Sequence, residues 1–280
     1  MSENNFWGRH MKNYGDIDIF WNEKGWFELG SIDNVTIITQ GEGGFTTMLM
    51  GNAVVENDNC EKIGTILSKY HTVDAFNIIP KTADIGWPIY RINNTMIIRI
   101  TSWYPLVFAP NANPSAWIYS YPIIKSLVEF IKNLEVRNIE YVCSGEQMSE
   151  LKDSKSFMTK SKGRWARVIP SWADQDEEPT DIFASTPSWA IPYISKIMGV
   201  PCNVSCIINQ DEGIDDQKQT AIDFYRWFNK FIGHWDIDVT KKGIGQKTIE
   251  KNVKELKELQ SELKLNKPIY KKPDEGVMFG

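Results

Sequence analysis

The sequence has little of what most metal centres and catalytic sites are built from. Its 280 residues include only three histidines and four cysteines. The histidines are too few and too scattered for a metal site or a catalytic triad, and the cysteines follow no metal-ligand spacing. Cys202 and Cys206 lie in an apolar stretch that is typical of buried thiols. We therefore expect no metal, no cofactor and no catalytic residue.

An excess of basic residues and a long apolar run are also missing. The net charge of −5 argues against general nucleic-acid binding, which needs a basic surface. No apolar segment approaches the ~20 residues that a membrane helix requires. Residues 1–13 are polar and lack the apolar core of a signal peptide. These features predict a cytoplasmic protein that binds neither nucleic acid nor membranes.

Tryptophan, in contrast, is abundant. The chain has 11 tryptophans, and Trp7, Trp21 and Trp26 fall within residues 1–34. Aromatic residues mixed with glycines predict an irregular or hairpin-like segment that packs on the main body. The same cluster could line a ligand pocket or an oligomer interface, where aromatic residues are enriched. Core packing and an interface both remain open for this segment.

The middle of the chain alternates between two periodicities. Helical spacing at 122–133 and 190–198 separates short apolar runs that are typical of buried strands. The runs are residues 35–39, 96–100, 139–143 and 204–208. Strands alternating with helices predict a mostly parallel sheet that is covered on both faces. We therefore expect a three-layer α/β/α core domain over residues 35–237.

The C-terminal part is predicted to be helical and then extended. An apolar helix at 215–232 is followed by a charged helix within 238–265. Ile249, Val253 and Leu256 form one narrow apolar stripe on this charged helix. Such a stripe is typical of coiled-coil or helical-hairpin packing on a partner, although a helix that lies on its own domain would show it too.

Two sequence features offer a possible ligand site. Gly41, Gly43 and Gly44 follow the first predicted strand, where backbone N–H groups can bind a phosphate. The match is poor, because the turn fits no nucleotide-binding motif and Glu42 would repel an anion. Asp211 belongs to an acidic patch after the fourth strand, where open α/β sheets bind ligands. Tight-turn geometry without a ligand explains the glycines, and helix capping explains the acidic patch more simply than a ligand does.

Several short motifs resemble the proteasome assembly chaperone 2 family. The resemblance covers about residues 113–265, and its most telling part is an aspartate-rich motif just before the charged helix. The motifs are Asn113-Pro114-Ser115, Cys143-Ser144-Gly145, Asn209-Gln210-Asp211 and Trp235-Asp236-Ile237-Asp238. The resemblance implies a fold like that of nucleoside phosphorylases and hydrolases, without their active-site residues and with a C-terminal helical extension. It also implies a homo-oligomer.

The resemblance further implies binding to proteasome α-subunits or the core particle. Some family members end in a hydrophobic–tyrosine–any tripeptide that docks between α-subunits. Met278, Phe279 and Gly280 resemble this tripeptide at the end of a flexible tail, residues 266–280, although Phe279 lacks the tyrosine hydroxyl. The first hypothesis is thus a non-enzymatic assembly chaperone or proteasome-binding protein. The alternatives are a nucleotide- or nucleoside-binding enzyme, ligase- or hydrolase-like, and an inert oligomeric scaffold.

Overall fold

A computed structural model describes ten stretches of the chain. They are residues 10–22, 32–39, 46–56, 60–68, 86–100, 115–145, 165–168, 190–208, 213–233 and 244–265. The strands are β1 (His10–Tyr14), β2 (Ile17–Trp21), β3 (Asn34–Thr39), β4 (Glu61–Leu67), β5 (Trp87–Ile92), β6 (Thr95–Ile100), β7 (Asn138–Gly145), β8 (Trp165–Val168) and β9 (Cys202–Ile208). The α-helices are α1 (Thr46–Val55), α2 (Ser115–Lys132), α3 (Ala190–Met198), α4 (Ile214–Phe228) and α5 (Ile244–Leu265), and a π-helical turn, Asn229–Gly233, follows α4.

The centre of the sheet is a block of four parallel strands. The order of the nine strands is β1-β2-β4-β5-β6-β3-β7-β9-β8, and β6, β3, β7 and β9 run in the same direction. These four contain the apolar runs that the sequence predicts. The other pairings are antiparallel. The α/β class is therefore confirmed, whereas the prediction of a mostly parallel sheet is wrong, because the sheet is mixed.

Helices cover both faces of the sheet. Neighbouring side chains of each central strand point to opposite faces and therefore enter different cores. In β3, Ile37 belongs to the core under α2 and α3, whereas Ile38 belongs to the core under α1, α4 and α5. Tyr141 and Val142 divide in the same way in β7. The finer likeness to nucleoside phosphorylases and hydrolases stays a prediction.

The N-terminal hairpin is built into the same sheet. β1 and β2 pair through a turn at Gly15, whose φ of 63° is a conformation that glycine adopts without a steric penalty. Trp21 is buried, and its ring centroid lies 5.9 Å from that of Phe130 in α2. The Tyr14 ring lies 5.1 Å from Phe130. Trp21 thus packs in the core, while Trp7 and Trp26 lie outside the described residues.

Helix α1 lies in the same layer as α4 and α5 and is the most deeply buried of the three. Its side chains Leu49, Met50, Ala53 and Val54 are all fully buried, and both α4 and α5 lie against it. None of the helices that the structure describes has the length and apolar character needed to cross a membrane.

Candidate functional site

The order in which the chain adds strands to the sheet reverses at β3. From β3 it passes through α1 on one face and returns to the sheet on the β6 side. From β6 it passes through α2 on the other face and enters β7, on the opposite side of β3. The carboxyl ends of β3 and β7 therefore border a topological switch point. Open α/β sheets bind ligands in the crevice at such points.

Three threonines lie at this edge of the sheet. The Thr39 hydroxyl, at the end of β3, donates to the Val142 carbonyl oxygen of β7 at 3.1 Å and ties the two strands together. Thr46 and Thr47 form the start of α1, and their side chains are 1% and 0% exposed. Within the described part of the chain, neither of these two hydroxyls has a hydrogen-bond partner. The first turn of α1 carries no acidic residue.

A buried arginine lies beneath α1. Arg99 is next to last in β6 and pairs with Ile38 of β3. Its side chain is 7% exposed, and its Nη2 donates to Asn52 Oδ1 of α1 at 2.7 Å. A Cβ atom at Gly51 would lie 3.3 Å from Arg99 Nε, so the absence of a side chain there makes room for the guanidinium.

Sequence reasoning included Thr46 and Thr47 at the end of the candidate turn at 41–47 but gave their hydroxyls no role, and it missed Arg99. Two signals were available. One was an arginine within an otherwise apolar strand, where a buried charge needs specific partners. The other was a pair of threonines directly after a glycine-rich turn, where hydroxyls can bind a ligand or cap a helix.

The ligand-binding residues that the sequence does predict lie outside the described residues. Gly41, Gly43 and Gly44 belong to the segment that joins Thr39 to α1, and Asp211 belongs to the segment that joins β9 to α4. Because β3 and β9 are parallel, both segments start at the same edge of the sheet. The involvement of these four residues stays a prediction.

The apolar stripe of α5 lies inside the protein. Ile249, Val253 and Leu256 are 0%, 4% and 2% exposed, and they belong to the core shared with α1 and α4. The prediction that these three side chains contact a partner is therefore wrong for this fold. Their apolar surface is already covered by the protein's own helices, and a partner would have to detach α5 to reach them.

Polar contacts hold α5 at two further points. Thr248 donates to Glu56 Oε2 beyond the end of α1 at 3.1 Å. Lys257 Nζ lies 2.7 Å from both carboxylate oxygens of Asp215 in the first turn of α4. The hydrogen bond from Lys257 and its charge lower the pKa of Asp215, whose side chain is solvent-exposed. Helix α5 is thus attached to the domain through its apolar face and through the polar contacts of Thr248 and Lys257.

Two of the four cysteines, Cys60 and Cys202, are poorly suited to nucleophilic chemistry. Burial raises the pKa of Cys60 to about 12, although the charge of Arg99 acts in the opposite direction. Burial likewise raises the pKa of Cys202 to about 12. The thiolate is the reactive form, so neither of these thiols is activated at neutral pH. In the part of the chain that the structure describes, no three His, Cys, Asp or Glu side chains come together as a metal site would require.

Comparison with known proteins shows which solved structures have a similar architecture. No family model matches the sequence, and no curated protein matches it. Among solved structures, a protein of unknown function from Thermoplasma acidophilum is 12% identical, with a TM-score of 0.53 over 85% of this chain and 93% of its own. PbaB, an archaeal proteasome activator from Pyrococcus furiosus, is 13% identical, with a TM-score of 0.51 over 83% of this chain and 93% of its own. The chain shares their fold.

A second protein from Pyrococcus furiosus, PbaA, is an archaeal homologue of proteasome-assembly chaperone. It is 13% identical, with a TM-score of 0.49 over 84% of this chain and 92% of its own. The solved structures similar to the chain include this homologue of proteasome-assembly chaperone. At this level of identity the likeness concerns the fold. The tripeptide Met278, Phe279 and Gly280 lies outside the described residues.

Proposed function

We propose that this protein binds the proteasome core particle as an assembly chaperone or activator and has no catalytic activity of its own. The observation that carries the proposal is the fold shared with PbaB, which is an archaeal proteasome activator. The family resemblance of residues 113–265 supports it independently, since that resemblance rests on short sequence motifs. A cytoplasmic location is part of the proposal, as is a C-terminal contact with α-subunits.

In this proposal the docking element is the tripeptide Met278, Phe279 and Gly280. The structure supports it indirectly, through α5. Because Ile249, Val253 and Leu256 pack on α1 and α4, this part of α5 has a fixed position on the domain, and the helix continues to Leu265. Residues 266–280 start at that point and can reach at most about 50 Å from it. An aromatic ring beside a carboxylate can fill an apolar pocket and pair with a basic residue of the partner.

The experiment is a pull-down of purified proteasome core particle with the full chain. We expect recovery of the core particle with the wild-type protein, and loss of recovery on deletion of residues 278–280. Phe279→Ala should behave like the deletion, because it removes the ring. Phe279→Tyr should bind at least as well as the wild type, because it restores the hydroxyl found in the family tripeptide.

Tyr270→Ala is the matched control, since it removes another aromatic ring from the same segment. It should bind like the wild type. Equal recovery with and without residues 278–280 would reject the tripeptide as the docking element. No recovery with any form of the chain would reject the proposed function itself.

We further propose that the working form is a homo-oligomer of this chain, which the family resemblance implies. Light scattering coupled to size-exclusion chromatography measures this directly. A mass equal to the 32.2 kDa of a single chain at micromolar concentration would contradict it.

A further inference from the structure

Two buried hydroxyls at the start of α1 have no hydrogen-bond partner among the residues that the structure describes. They belong to Thr46 and Thr47, which are 1% and 0% exposed. Nearly all buried polar groups in proteins are hydrogen-bonded, because an unpaired one keeps its desolvation penalty without compensation. Six other buried polar atoms among the described residues also lack a hydrogen-bond partner, but only Thr46 and Thr47 are adjacent in sequence and begin a helix. This arrangement points to a group from another molecule as their partner.

The two hydroxyls lie at the end of α1 that borders the switch point between β3 and β7. Cα–Cβ bonds in an α-helix tilt toward its N-terminus, so both threonine side chains lean toward the end of α1 that follows β3. The first backbone N–H groups of a helix have no acceptor within the helix. Hydroxyl and N–H donors therefore converge at one place.

The charges of the described residues at this place favour an anion, although Glu42, four residues before α1 in the sequence, would oppose one. The N-terminus of a helix carries a partial positive charge, and the first turn of α1 has no acidic residue to offset it. Arg99 packs against Gly51, which follows Thr47 by four residues, or about 6 Å along the helix axis. A buried positive charge at that distance is little screened by salt. A cation would be repelled at the same site.

We propose that the crevice between β3 and β7 binds a small phosphate ester, with its phosphate on the N-terminus of α1 and on the hydroxyls of Thr46 and Thr47. A phosphate offers enough acceptor oxygens for two hydroxyls and several N–H groups together. The organic part of the ester lies in the crevice, where sheets of this topology hold nucleotides. This site is independent of proteasome binding, and either can exist without the other.

The test uses three probes with the full chain: AMP, inorganic phosphate, and adenosine, which lacks the phosphate. Binding is measured by calorimetry and by the rise in melting temperature, which increases with ligand concentration for any ligand of the folded state. We expect AMP to bind and to stabilise the protein, inorganic phosphate to bind more weakly at the same site, and adenosine not to bind.

Thr46→Val and Thr47→Val remove one hydroxyl each and keep the side-chain shape. Each should weaken AMP binding about tenfold, as expected for the loss of one hydrogen bond to a charged group. Without ligand, both variants should melt at or above the wild-type temperature, because the lost hydroxyl has no partner among the described residues. Ser195→Ala, a buried site in α3 on the other face of the sheet, is the control and should leave AMP binding unchanged.

Three results would overturn the proposal. One is the absence of binding by both AMP and phosphate at concentrations up to about 10 mM. The second is equal binding of AMP and adenosine, which would exclude a role for the phosphate. The third is a lower melting temperature of both valine variants without ligand, which would show that the hydroxyls have structural partners.

Discussion

Replacing Ile249 by alanine tests whether α5 is an integral part of the domain. The Ile249 side chain is completely buried in the core that α5 shares with α1 and α4. Truncating a fully buried isoleucine removes its apolar contacts and leaves a cavity, at a cost of about 2–5 kcal/mol. A domain of ordinary stability, about 5–15 kcal/mol, would remain folded after such a loss.

The assay is urea unfolding, followed by tryptophan fluorescence and by far-ultraviolet circular dichroism on the same samples. We expect the midpoint for Ile249→Ala to fall while the dependence of the unfolding free energy on urea stays unchanged. Both signals should change together, because α5 and the sheet share one core. Lys254→Ala is the control on the exposed face of the same helix. Its side chain is 80% exposed and 3.8 Å from Glu258, and such pairs contribute only about 0.3–0.5 kcal/mol.

Two outcomes would refute this reasoning. A loss of less than about 1 kcal/mol for Ile249→Ala would mean that its burial contributes little. A separate early transition in the dichroism signal, with no change in fluorescence, would mean that α5 unfolds on its own. In either case the helix would be free to present its apolar stripe to a partner, as the sequence predicts.

Two further predictions concern the backbone and the surface. Gly86 has φ of 84°, and a Cβ atom there would overlap the Ile66 carbonyl oxygen and the Leu67 side chain. Gly86→Ala should therefore destabilise the protein by more than the ~1–2 kcal/mol that a left-handed backbone alone costs a non-glycine residue. Gly199 is the control, since its φ is 69° and a Cβ atom there would meet open space. In thermal unfolding, Gly199→Ala should show only the backbone cost. The pKa of Asp215 is lower in the folded state, so its contribution to stability is present above the unfolded pKa of about 4 and is lost as the pH falls below it. The difference in melting temperature between the wild type and Asp215→Asn should thus be larger at neutral pH than at about pH 3, and a difference that grows on acidification would contradict the Lys257 contact.

The sequence predicts the centre of the fold well. The four parallel strands are largely apolar runs, because both of their faces are buried, and α3 has the predicted bounds. The outer strands were harder to recognise. β4 contains Gly64 and is only partly buried, and β5 contains Pro88, which usually argues against a strand. These outer strands are held by pairing with their neighbours rather than by a strong pattern of their own.

The predicted contact surface shows a different limit of sequence reasoning. The stripe of Ile249, Val253 and Leu256 is a correct sign that α5 packs on something apolar. The same stripe serves equally for a second protein or for α1 and α4 of the same chain, since both offer apolar side chains. Arg99 was visible as a charge in an apolar strand, but its contact with Asn52 depends on where α1 crosses β6, which no local pattern determines.

The central strand β3 has consequences for how the protein is made. β3 pairs with β6 and β7, and the hydroxyl of Thr39 reaches a carbonyl 103 residues further along the chain. Contacts between such distant residues close slowly, because much chain entropy must be lost before they form. During translation, β3 therefore leaves the ribosome well before β7 is available. Until then its apolar edge is open to other nascent chains, and the protein has to be synthesised past Gly145 before its own sheet can shield it.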